Sequence, residues 1–158
     1  VATSLYETDF VAWTKEQAAE LRRLRDARIN TRLDLDQLAE EVEDLGSERK
    51  FAFESLIEVI IEHLLKLAHS PAVEPRKKWM ISVQNARRSA ARRSTATLRR
   101  EADDTLDQRF AAARAAAVFS MQVYDEHDAI ESVPTTNPYS LDEILDPDFW
   151  PPEPQARP

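Results

Sequence analysis

The stretch from Leu33 to His69 constrains this chain more than any other, because a helix start and a long apolar stripe occur in it together. Asp34 is placed to accept the orphan amide hydrogens of a first turn, and Gln37, three residues on, can return the bond to complete a capping box. Leu33 and Leu38 occupy the positions of a hydrophobic staple across that cap. From Leu38 onward, apolar residues recur at Val42, Leu45, Ala52, Phe53, Leu56, Val59, Ile60, Leu64 and Leu67, in steps of three, four and their sums. That is the helical period, and nothing in the stretch alternates as a strand does.

Gly46 interrupts the pattern. At about 100° per residue the apolar positions on its two sides stay on one face, so the spacing predicts one unbroken helix; a glycine C′ cap ending a first helix is the competing reading. The continuous register puts Arg49 near the centre of the apolar face, where it must pair with Glu41 or Glu48 or snorkel outward. His63 falls on the same face, and the expectation for it is an imidazole hydrogen-bonded to a neighbour.

The same glycine is the only one in 158 residues. Hairpin turns, bulges and the close phosphate approach of Rossmann sites all draw on glycine, so sheet-based nucleotide folds are set aside. The absence of cysteine removes disulfides, thiolate metal sites and a cysteine nucleophile. No apolar run approaches the length of a membrane span and no signal-peptide pattern opens the chain, so no membrane association and a cytoplasmic location are expected.

Other elements follow from local chemistry. Ser4 and Glu7 form a capping-box pattern, with Tyr6, Phe10 and Trp13 on one face of a short helix and Asp9 beside it. Thr14 and Gln17 repeat the pattern and predict a second helix from there, with a narrow stripe of Ala18, Leu21 and Leu24. Two prolines in Ser70–Pro75 break the chain after His69. The next helix, Pro75 to Arg93, carries Trp79, Val83, Ala86 and Ala90 on its buried face and Arg87 at the edge. A third long helix is predicted from Thr97 to His127 on the stripe Leu98, Ala102, Leu106, Phe110, Ala113, Ala117, Met121 and Tyr124. Ser140 and Glu143 cap a last short helix that Pro147 ends. Tyr139, Leu141, Ile144, Leu145, Phe149 and Trp150 are too many large apolar side chains for a free linker, so this segment is expected to wrap back. The fold class is therefore all-α: a helical bundle of about three long and two or three short helices, one domain over residues 4–151, with residues 152–158 a loose proline-rich tail.

The ordered set Tyr6-Glu7-Thr8-Asp9-Phe10 with Trp13, then Asp34 through Gly46, His63-Leu64-Leu65-Lys66, Trp79, Pro138-Tyr139-Ser140-Leu141 and Phe149-Trp150-Pro151 resembles the domain of unknown function 29 family. The likeness runs from about Ser4 to Pro151. It implies an all-helical bacterial protein without an established biochemical activity. Leu67 stands where many relatives carry an aromatic residue.

Charge is segregated along the chain. Residues 76–100 hold nine bases and no acid, while residues 1–75 sum to −7 and residues 101–158 to −10, for a net −8. The leading functional expectation is a protein-interaction or self-association module with opposite-sign faces, its partner unnamed by the sequence. Nucleic-acid binding through the basic helix is the alternative, with Lys77, Lys78, Arg87, Arg88, Arg92 and Arg93 neutralising phosphates. Against it stand the acidic total and the lack of aromatics for base stacking. An enzyme or metal site around Glu41, Glu62 and His63 comes last. Paired Glu-x-x-His motifs are absent, and Glu41 and His63 lie about 33 Å apart along one helix. No cofactor is expected.

Overall fold

A computed structural model of the chain describes residues 3–154. Its elements are α1 (Leu5–Thr8), α2 (Phe10–Asp26), α3 (Leu35–His69), α4 (Arg76–Arg93), α5 (Ala96–Asp104), α6 (Leu106–Val123), α7 (His127–Ser132) and α8 (Leu141–Leu145). No strand occurs among the described residues. They gather into two compact units, one of residues 3–53 and 93–101 and one of residues 54–92 and 102–154. Of the tail expected over residues 152–158, residues 155–158 lie outside the described residues.

In the first unit Asp9 organises the backbone. Its Oδ1 accepts from the Ala12 amide at 3.1 Å, capping α2, and its Oδ2 accepts from the Thr97 amide at 3.0 Å at the start of α5. One carboxylate thus serves two helix N-termini, where the partial positive charge of each macrodipole favours an anion. Helix α2 consequently begins at Phe10, four residues before the predicted start, and Thr14 is an interior residue whose hydroxyl donates to the Val11 carbonyl at 2.7 Å. The predicted aromatic group does form: Tyr6 meets Phe10 and Trp13 edge-on, and Phe10 and Trp13 stack.

Helix α3 runs unbroken through Gly46, as its periodicity predicts, and Asp34 Oδ1 accepts from the Gln37 amide at 3.0 Å. The return half of the capping box is not made, because the Gln37 side chain donates to Glu41 instead. The buried face of this part of α3 is also not the predicted one. Leu35, Ala39 and Gly46 are buried, whereas Leu33, Leu38 and Leu45 are exposed, the last by 48%. The physical reason is close approach. A Cβ on Gly46 would lie 3.3 Å from the Thr14 Cβ and well inside contact distance of its hydroxyl, so α2 packs against the small-residue side of α3 and leaves the leucines outside. Arg49 takes the outward course: it is exposed, and its guanidinium stacks over the Phe10 ring at 3.9 Å.

In the second unit α3 buries Ile57, Ile60, Ile61, Leu64, Leu65 and Leu67, and α6 contributes Leu106, Phe110, Ala113, Ala117 and Met121. The α6 stripe is the predicted one apart from Tyr124, which is exposed. The predicted helix over Thr97–His127 is nevertheless two helices, α5 and α6, and His127 already opens α7. Thr105 (φ −108°, ψ 11°) breaks it and caps α6 through its carbonyl, and after Val123 the chain turns through Asp125 at φ 56°. Thr and Asp compete locally for backbone hydrogen bonds, which periodicity does not register. Arg109 joins α6 to α3 through Glu58 at 2.7 Å.

Candidate functional site

Helix α4 presents two faces. Val83, Ala86, Arg87 and Ala90 are buried, and Trp79, expected in the core, is half-buried with the Lys66 ammonium 5.7 Å above its ring. Lys66 is held there by Glu62 one turn back, at 2.7 Å. On the opposite side Lys77, Lys78, Ile81, Asn85, Arg88 and Arg92 are all exposed, Ile81 by 61%. At 3.6 residues per turn these six share an arc of about 100°, with Ile81 near its middle. No acid exists within residues 76–100 to neutralise the arc from its own helix. Arg93 is also exposed, but it ends α4 within the first unit.

Arg87 does not belong to that face. It is only 3% exposed, and its Nε donates to the Ile144 carbonyl at 2.8 Å and its Nη2 to the Glu143 carbonyl at 3.3 Å. The guanidinium also stands 5.1 Å from the Trp150 ring. Burial lowers its pKa and the nearby Asp146 partly offsets this; an arginine so placed still carries its charge. Arg87 therefore serves the orphan carbonyls at the C-terminal end of α8, the end a cation favours. Gln84 adds a hydrogen bond to the Pro147 carbonyl at 2.9 Å. Together they hold the C-terminal segment down, and Ser140 and Glu143 complete the predicted capping box of α8. Tyr139, Leu141 and Ile144 are buried, so the wrap-back expected of this segment is observed.

A cleft of about 970 Å³ opens beside that segment. His69, Ser70, Arg76, Ser132, Tyr139 and Phe149 line it, with a rim that includes Pro71, Pro134, Pro138 and Pro151. The Ser132 hydroxyl donates to the Ala129 carbonyl at 2.7 Å, so its oxygen accepts from His69 Nδ1 at 2.9 Å. Burial lowers the His69 pKa, which favours the neutral ring with Nε2 as an acceptor. A serine nucleophile activated by this histidine would need the opposite polarity, with the hydroxyl proton directed at the ring. Arg76 is committed to structure, donating to the Leu67 carbonyl at 2.8 Å and the Ser70 carbonyl at 3.5 Å at the end of α3. Burial, with Glu143 nearby, pushes the Tyr139 hydroxyl up to about 12.

The residues weighed for catalysis stand elsewhere. Glu41 is exposed and accepts from Gln37 at 3.2 Å, and His63 donates through Nδ1 to the Val59 carbonyl at 2.8 Å. No cluster of three His, Asp or Glu side chains able to hold a metal occurs among the described residues. His69 and Ser132 escaped sequence reasoning because they lie 63 positions apart and share no motif.

Eight helices and no strand among the described residues place the chain in the all-α class. A family model described as Domain of unknown function DUF29 matches residues 5–150, and the chain belongs to that family. An alpha-helical protein of unknown function from Rhodospirillum rubrum, known from a crystal structure, is similar to it at 25% identity with a TM-score of 0.73; the match covers 94% of this chain and 93% of the other. No curated protein matches. No helix among the described residues is long and apolar enough to cross a membrane.

Proposed function

We propose that this chain is a helical protein-interaction module, with residues 4–151 acting as one domain and the exposed basic side of α4 as its docking face. The observation that carries the reading is Ile81, a large apolar side chain left 61% exposed in the middle of an arc of cations. Interfaces recognise partners with apolar centres and charged rims, the charges steering encounter and setting register. A phosphate backbone offers an isoleucine nothing.

Binding of nucleic acid is the second reading, favoured by four cations, Lys77, Lys78, Arg88 and Arg92, along one helix side with no acid in that helix. The arc itself carries no aromatic side chain for base stacking, and Trp79 is turned away and engaged by Lys66. An enzyme built on Glu41 and His63 has the least support, because each is already bonded along α3 and the two stand 22 positions apart.

The test is capture by a tagged chain from native lysate, with and without nuclease, compared with a Lys77→Glu/Arg88→Glu/Arg92→Glu chain. A stoichiometric protein retained after nuclease and lost with the variant supports the module. Recovery of nucleic acid alone, released along a steep salt slope, moves the function to phosphate binding.

A further inference from the structure

We infer that the occupant of the α4 face is a second copy of this chain, docked through a two-fold contact that sets the basic side of each α4 against the acidic corner at residues 146–148 of its partner. This rests on the docking reading above and adds the partner. Gln84 bonds the Pro147 carbonyl at 2.9 Å and Arg87 bonds the carbonyls of Glu143 and Ile144, so the C-terminal segment runs along one flank of α4. On the helix surface Gln84 lies about 20° from Lys77 and about 40° from Arg88, and Ile81 is the next position beyond. Asp146, Pro147 and Asp148 are all exposed on that flank. A positive stripe and a negative stripe therefore lie side by side within one unit.

Such a surface is self-complementary. A two-fold rotation lays each stripe on the opposite stripe of the other copy, so every favourable contact is made twice. The apolar material needed at the centre is present: Ile81, Met80 and Pro147 are exposed beside the charges. The same adjacency disfavours a polyanion, whose phosphates would meet Asp146 and Asp148 next to the cations. Net repulsion between two copies of charge −8 does not forbid the contact, because long-range repulsion is screened within about 8 Å at physiological salt whereas paired charges at contact are not. From Lys77 to Arg92 the face is about 22 Å long. That length suits a contact at the small end of the specific range, which makes the dimer reversible and salt-sensitive.

The experiment is sedimentation equilibrium of the full chain across protein concentration and salt, with two charge-reversed chains. One carries Lys77→Glu and Arg88→Glu, the other Asp146→Lys and Asp148→Lys. The wild type is expected to dimerise and to dissociate in high salt. Each variant alone is expected to weaken the dimer at least tenfold, and an equimolar mixture of the two is expected to recover it as a heterodimer, which also shows that both variants are folded. A wild type that stays monomeric to roughly 1 mM overturns the inference. So does dimerisation unchanged in either variant, or a mixture of folded variants that fails to pair. A monomeric wild type that still retains a foreign protein through α4 overturns the second copy as occupant while leaving the docking reading standing.

Discussion

Asp9 in the first unit and Arg87 in the second do the same kind of work with opposite charge. Each is a buried ion committed to backbone ends, the anion at the N-termini of α2 and α5 and the cation at the C-terminal carbonyls of α8. The difference lies in what can silence them. For Asp9, burial opposes the charge, but hydrogen bonds from the Ala12 and Thr97 amides and the Thr97 and Thr95 hydroxyls outweigh it and hold the carboxyl below its ordinary range. Acid can therefore remove this clamp. No accessible pH discharges Arg87, and in its unit the buried Tyr139 titrates only at the alkaline end.

The largest effect is expected from Arg87→Ala. It leaves two carbonyls at the end of α8 without their donor and opens a void beside Trp150, and a loss of about 3–4 kcal/mol is expected in denaturant melts. A loss below about 1 kcal/mol would break the comparison by showing the clamp to be dispensable. Tyr139 gives the second unit its pH signature. Its folded pKa of about 12 lies above the usual tyrosine value, so its stabilising contribution is full below pH ~10 and is lost as pH rises toward 12, by about 2–3 kcal/mol. Tyr139→Phe should flatten that decline.

Asp9→Asn sharpens the pair. The amide oxygen can still accept from Ala12, but its NH₂ then faces the Thr97 amide, donor against donor, so one cap survives and one fails; about 2 kcal/mol is expected. Because the folded pKa of Asp9 is depressed, its contribution is present above the unfolded carboxylate pKa and disappears as pH falls through the folded one. The melts of wild type and Asp9→Asn should thus converge in acid. Gly46→Ala is expected to cost about 1–3 kcal/mol, since its Cβ would press on Thr14; a truncating Thr14→Ala in the same chain should recover most of that loss. The smallest effect is a gain. Arg28 at φ 52° and Asp125 at φ 56° end α2 and α6 in the left-handed region without glycine, so Asp125→Gly should stabilise by about 0.5–1 kcal/mol.

Helix starts and stops that depend on neighbours three or four residues away were legible in the order of amino acids: the boxes at Ser4–Glu7 and Ser140–Glu143, the cap at Asp34, the breaks at the prolines. So were the all-α class and the buried stripes of α4 and α6, because amphipathic periodicity is local information. Tertiary structure alone decided which side of the first half of α3 is buried. Leucines marked one face, but the Gly46 side admits the closer helix, and approach distance is a property of two surfaces rather than one. It also decided that Arg87 leaves the basic face for the core, that Asp9 serves a residue 88 positions away, and that His69 and Ser132 meet across a cleft. Those pairings carry no sequence signature because nothing in the local pattern of either residue depends on the other; only the fold brings the charges to the helix ends that they stabilise.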